Sequence, residues 1–202
     1  PFDFLIEDYA VEFPYNYLVQ DWPVLSPYVV GPDEPEKTSF DEWAVSVWNG
    51  TEPIQTISLL LRIADRIRSD IQYRVREEPG VQIPGETISR RSGSCRDFAA
   101  LFIAVARDFG FAARFVSGYL VAEPSSFNYG ATHAWAEVYL PGAGWTGIDS
   151  TLGILTGSDH IPVAVCDGCR GLGNSTLIVI AAPPVRLRDS DLRSRFAATS
   201  AN

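Results

Sequence analysis

Gly93-Ser94-Cys95-Arg96-Asp97-Phe98-Ala99 reads as the opening of a helix that carries a thiol on its first residue. Ser94 and Asp97 stand at the capping-box spacing, in which a hydroxyl residue and an acidic residue satisfy each other's backbone amides. From Cys95 to about Phe109, the residues Phe98, Ala99, Leu101, Phe102, Ile103, Val105, Ala106 and Phe109 leave almost no polar face. A helix that is apolar all round is buried. Gly110 is the expected stop, because glycine readily takes the left-handed conformation that closes a helix. A sulfur at this end faces free backbone N–H groups and the positive pole of the helix dipole, and both favour thiolate over thiol. Taken alone, Cys95 also reads as a small buried hydrophobe.

Downstream, the period of the apolar residues changes from helical to alternating. Ala113–Val121 reads as a strand and residues 123–130 as a turn-rich loop. Thr132–Leu140 reads as a strand with Ala134, Ala136, Val138 and Leu140 on one face and His133, Trp135, Glu137 and Tyr139 on the other. Pro141–Gly144 forms a hairpin turn into a strand that ends at Asp149. Cysteine, histidine and aspartate in that order are a nucleophile, a base and an orienter, the side-chain types thiol acyl transfer needs; folding must bring them together.

The hairpin decides whether they meet. A four-residue turn pairs Leu140 with Trp145 and sets Asp149 against Ala136, on the wrong face. A three-residue turn pairs Leu140 with Gly144 and sets Asp149 against Trp135, diagonal to His133 on the same face. The glycine-rich turn permits either register. Read alone, Asp149 is a strand-ending turn residue and His133 a half-exposed strand histidine. The chain has 2 histidines. The other, His160 in Asp159-His160-Ile161-Pro162, begins a late strand (Ile161–Val165) without an aromatic shield and ranks behind His133 as a base. The Cys95 backbone N–H is one oxyanion donor; the second is sought in Tyr73 or Gln82, with Tyr73 preferred. Trp135 and Trp145 could wall the site, with ordinary packing as the competing role for each.

The remaining segments frame this core. Residues 1–38 are rich in proline and aromatics and read as an extended segment lying on the domain, the end of an upstream domain. The domain itself is placed at 39–185, and 186–202 as a loose tail. A short helix is expected over Ser39–Trp48, with Ser39 as cap. A second begins with Pro53 in its first turn and buries Ile57, Leu60, Ala64, Ile67 and Ile71. Residues 74–93 read as a long loop holding a short helix at Glu86–Arg90. Leu177–Ala181 could add a strand. Cys166-Asp167-Gly168-Cys169 supplies half of a zinc site with no second half, and no metal is expected.

The chain has 202 residues, 46% of them hydrophobic, which suffices for a substantial core. Its formal net charge is -9, so nucleic acid is excluded as a partner, phosphate binding relying on a basic surface. Lys37 is the single lysine, so a lysine-crosslinking enzyme of this sequence would have little means of crosslinking itself. No apolar run reaches the roughly 20 residues needed to span a bilayer, and no membrane partner is expected. Three cysteines make a poor disulfide framework and indicate a reducing compartment, hence the cytoplasm.

Cys95 with its flanking residues, the run Phe115-Val116-Ser117-Gly118-Tyr119-Leu120, the block His133–Trp145 and the pair Ile148-Asp149 together resemble the bacterial transglutaminase-like superfamily, over about residues 54–165. The resemblance implies an α+β, papain-like fold, with a buried helix bearing Cys95 packed on an antiparallel sheet bearing His133 and Asp149. It implies Cys95 as nucleophile, His133 as general base and acid, Asp149 as orienter, and a thioester acyl-enzyme formed on a protein or peptide substrate without a cofactor. It does not choose between amine and water as acceptor. Ser150-Thr151 departs from the family's usual Pro-Thr, a tryptophan that assists the oxyanion in some relatives has no counterpart upstream of Cys95, and similarity fades after Ala164. The competing function is a non-catalytic peptide-binding module that keeps the fold.

Overall fold

A computed structural model describes residues 5–31, 37–121 and 131–167. The expected loop over 123–130, the expected strand Leu177–Ala181, Cys169 and the tail over 186–202 lie outside the described residues. In chain order the elements are a 3-10 turn Asp8–Ala10, β1 (Glu12–Phe13), α1 (Trp22–Val29), α2 (Lys37–Val47), β2 (Ile54–Gln55), α3 (Thr56–Asp70), β3 (Gln72–Tyr73), α4 (Pro84–Arg90), β4 (Ser92–Gly93), α5 (Cys95–Asp108), β5 (Ala113–Leu120), β6 (Ala131–Leu140), β7 (Gly144–Asp149), β8 (Ile154–Leu155) and β9 (His160–Cys166). The last five strands form one antiparallel sheet in the order β8-β7-β6-β5-β9.

Helix α5 is the centre of the molecule. Every residue from Asp97 to Ala106 is buried. Phe98, Leu101, Phe102 and Val105 meet Leu59, Leu60, Ile63 and Ile67 of α3 in the same core as Ala134, Ala136, Val138, Leu140 and Ile148 of the sheet. Burial of each large apolar side chain stabilises the fold by roughly 1.5–3 kcal/mol. That packing fixes the helix axis and, with it, the position of its first residue. The helix ends as expected. Gly110 has φ 94, the Phe111 N–H donates to the Ala106 carbonyl (2.9 Å), and the Gly110 N–H donates to Arg107 (2.9 Å). These two bonds form the Schellman closure.

Several boundaries differ from the sequence reading. Pro53 lies outside α3, because Ile54–Gln55 are held extended by pairing with β1 (Glu12 with Gln55, Phe13 with Ile54). The helix therefore starts at Thr56, and its buried face gains Leu59 and Ile63 while Ile57 is only partly buried. Helix α2 starts at Lys37, which puts Ser39 inside the first turn instead of at the cap. The extended run expected over 1–38 is interrupted by α1. Pro23 sits in the first turn of that helix, where no N–H is required, and a helix of 8 residues loses one bond to the internal Pro27.

Residues before α1 are strapped to the domain. Phe13 belongs to the main core and stacks on Phe111, with ring centroids 4.6 Å apart. The Tyr17 hydroxyl donates to the Tyr139 carbonyl (2.8 Å) and accepts the Ala112 N–H (2.9 Å). The β6–β7 hairpin resolves the register question: Leu140 pairs with Gly144 and Ala136 with Ile148, a three-residue turn.

Candidate active site

Three backbone features bring the chemistry-bearing residues together. The first is the start of α5. Asp97, fully buried, accepts the Ser94 N–H (2.7 Å) and the Ser94 hydroxyl (2.8 Å) on one oxygen. It also accepts the Gln82 N–H (2.8 Å) and two guanidinium bonds from Arg76 (2.8 and 3.2 Å). Burial alone would raise its pKa, but the Gln82 and Ser94 donors, with Arg76, hold it below the usual carboxylate range. One side chain thus caps the helix and anchors the preceding loop, and Cys95 sits on that anchored end. The Cys95 N–H is among the first amides of the helix, which have no intrahelical partner.

The second feature is the parallel pairing of β3 with β4, which sets Tyr73 against Gly93, two residues before Cys95. The pairing makes Tyr73 and Cys95 neighbours. Burial and the neighbouring Cys95 push the phenol above its ordinary pKa. Tyr73 remains 46% exposed, so the sulfur lies beside an opening to solvent. Gln82, the other candidate, is turned away: its side-chain oxygen accepts the Thr87 hydroxyl (3.1 Å) and its N–H serves Asp97.

The third feature is the three-residue turn. Extending the register beyond Ala136 and Ile148 sets Asp149 against Trp135 and diagonal to His133. His133 Nε2 lies 2.7 Å from Asp149 Oδ2, and Cys95 neighbours the same imidazole. Because Nε2 faces the carboxylate, Nδ1 is the ring nitrogen left for the sulfur. Burial lowers the His133 pKa, yet its bonds to Asp149 and Cys95 and their charges outweigh burial and raise it to about 9. Asp149 is fully buried. Its Oδ1 accepts the Thr151 N–H (2.8 Å) and the Leu152 N–H (3.2 Å). Burial would raise the carboxyl pKa, but His133, His160 and the Thr151 amide hold it below the usual range.

Of the residues expected at the site, Cys95, His133, Asp149, Tyr73 and Trp135 are brought together, Trp135 being 2% exposed with its ring 6.3 Å from that of His133. Trp145 is not at the site. It lies opposite Tyr139, six residues along β6 from His133 and so about 20 Å away. There it lies under the Arg114 guanidinium (4.1 Å) and edge-on to Tyr28 (5.0 Å between centroids). Sequence reasoning missed the Arg76 and Gln82 bonds to Asp97. It also missed that His160 Nε2 lies 3.0 Å from Asp149 Oδ2. The scarcity of histidines was the available signal for the second of these.

His133, Asp149 and His160 offer ligand atoms within 4.8 Å of one another, the kind of set a metal ion takes. The Gly157 N–H, however, donates to His160 Nδ1 (3.3 Å), which requires that nitrogen to be the acceptor and leaves the ring proton on Nε2. A metal at Nε2 would drive the proton to Nδ1, against the Gly157 N–H. The set fits a hydrogen-bonded carboxylate better than a metal centre.

Comparison with known proteins bears on this arrangement. A model of the transglutaminase-like superfamily matches residues 41–150. Uncharacterised proteins of Mycobacterium tuberculosis and Mycobacterium bovis are 36% identical over 116 residues, 53% of this chain and 37% of theirs. The chain therefore spans well under half the length of the curated relatives it matches. Among solved structures, a candidate cysteine protease of Cytophaga hutchinsonii superposes with a TM-score of 0.58 at 25% identity, covering 72% of this chain and 47% of that one. Legionella pneumophila LapG superposes at 0.51 with 15% identity, over 89% of this chain and 93% of LapG, a likeness of fold. The α+β architecture expected from the sequence, a cysteine-bearing buried helix on an antiparallel sheet, is the one found.

Proposed function

This chain belongs to the transglutaminase-like superfamily, and on that premise we propose that it is a cysteine enzyme acting on an amide of a protein or peptide through a thioester. Cys95 is the nucleophile, His133 the base and acid, and Asp149 the orienter. The observation that carries this reading is the 2.7 Å contact of His133 Nε2 with Asp149 Oδ2, with Cys95 neighbouring the same imidazole. The candidate protease of Cytophaga hutchinsonii adds support.

The reaction follows from those positions. The thiolate attacks the amide carbonyl carbon and the carbonyl electrons move to oxygen. The Cys95 N–H and the Tyr73 hydroxyl donate to that oxyanion. As the tetrahedral centre collapses, the C–N bond breaks and the His133 imidazolium gives its proton to the departing ammonia or amine. Neutral His133 then takes a proton from the incoming water or amine, which attacks the thioester carbon. The C–S bond breaks, and the thiolate and imidazolium are restored. Trp135 shields the His133–Asp149 bond from water.

No helix among the described residues is long and apolar enough to cross a membrane. We place the reaction in the cytoplasm on the strength of the odd number of cysteines. The decisive experiment incubates glutamine-containing peptides with the protein, with and without a primary amine, and reads masses. Deamidation, amine incorporation or cleavage is expected from the wild type and none from Cys95→Ala. Undiminished turnover by Cys95→Ala sinks the assignment.

A further inference from the structure

We propose that His160 is a positioning residue: its Nε2–H holds the Asp149 oxygen that also binds His133, and so fixes the carboxylate on which the base is oriented. The inference rests on the reading of Cys95, His133 and Asp149 as the reacting set. Asp149 Oδ2 has two imidazole partners, His133 at 2.7 Å and His160 at 3.0 Å. Its Oδ1 is held by the Thr151 and Leu152 amides. With both oxygens tied, the carboxylate plane cannot rotate. Without His160, an oxygen in a dry site keeps one donor, and a buried carboxylate that loses a donor is costly and free to reorient.

The tautomer separates this role from that of a base. The Gly157 N–H occupies His160 Nδ1 (3.3 Å), so the lone pair of the ring points into its own turn and only Nε2 carries a proton to give. The side chain is 4% exposed. Its ring stands edge-on to Trp135, 5.3 Å between centroids at 83°. The fold makes room for this. Strand β9 lies beside β5, not beside β7, so His160 must reach across the sheet toward Asp149. Gly118 of β5 lies between His133 of β6 and Pro162 of β9. A Cβ on Gly118 would fall 2.6 Å from the Trp135 ring and collide with the Ile161 carbonyl. The bare backbone lets Trp135 and β9 close over the strand and bring His160 to the carboxylate.

Two histidines per chain make the test clean. In the 15N-histidine-labelled wild type, long-range 1H–15N spectra should show the neutral His160 ring as the Nε2–H tautomer. They should be unchanged by added zinc ions alone. An Nδ1–H tautomer, or a zinc-induced shift of both rings, overturns the proposal. The second arm measures iodoacetamide labelling of Cys95 at pH 6, with thermal melts alongside. His160→Leu should label about tenfold more slowly than wild type, and His160→Gln, whose amide can still donate to Oδ2, within about threefold. Equal rates for His160→Leu and wild type overturn the proposal. So does His160→Gln as slow as His160→Leu with both melting like wild type, because packing against Trp135 would then be the whole effect. If His160→Leu fails to fold, the tautomer spectrum decides. Wild-type Cys95 that labels no faster than glutathione at pH 6 refutes the catalytic reading instead, an outcome distinct from any of these.

Discussion

Asp149 shows how much one carboxylate can be asked to hold. Four N–H groups converge on it, two from rings and two from the turn that follows. Asp149→Asn keeps the shape but replaces an acceptor with an amide that can present N–H to N–H. Turnover of a glutamine peptide should fall by at least about 10²-fold in that variant, read as kcat/KM, while the melting curve moves little. The neighbouring Ser150 carries a different message. Its hydroxyl is buried with no hydrogen-bond partner among the described residues. Ser150→Ala should therefore raise the unfolding free energy by about 1 kcal/mol, measured by urea titration. Cys95, His133 and Asp149 were legible because their chemistry restricts the residue types and the chain offers few alternatives. His160 was not legible as a partner of Asp149. Its contact crosses β5 and β6 to reach β7, and alternation along one strand carries no information about such a crossing.

Among the elements, α5 and β6 were read almost to the residue, since an uninterrupted apolar helix and a clean alternation leave one solution each. The start of α3 was not, because the extended state of Ile54–Gln55 comes from β1, some forty residues upstream, and overrides the local preference of Pro53. The β6–β7 turn stood open between two lengths in the sequence; the shorter one pairs Leu140 with Gly144. Strand β5 supplies the sharpest test at this scale. Gly118→Ala inserts a methyl between Trp135 and the β9 backbone. We expect a loss of about 2 kcal/mol in stability and slower Cys95 labelling, because β9 must lift and carry His160 with it. Denaturant midpoint and labelling rate should move together; a variant that melts and labels like wild type would show that β9 is not held by this contact.

Taken as a whole, the molecule should resist acid and yield to alkali in a defined way. His133 has its pKa raised from 6.5 to about 9, so its contribution to stability is complete below pH 6.5 and is lost as pH rises through 9. Asp97 and Asp149 lie below 3.8, so theirs is present above that value and lost as pH falls through their lowered pKa values. The melting temperature should plateau between about pH 4 and 6.5 and decline toward pH 9, and His133→Gln should flatten the alkaline decline. A wild-type protein that gains stability from pH 6.5 to 9 would contradict the pairing of His133 with Asp149. The Tyr17 hydroxyl, bridging Tyr139 and Ala112, has a practical corollary. Trimming the chain to the 41–150 stretch shared with its superfamily would strip the aromatic strap from Phe111 and discard His160 ten residues past the cut. The smallest piece that keeps both this strap and the His160–Asp149 contact is thus wider, on both flanks, than the piece that kinship alone would mark out.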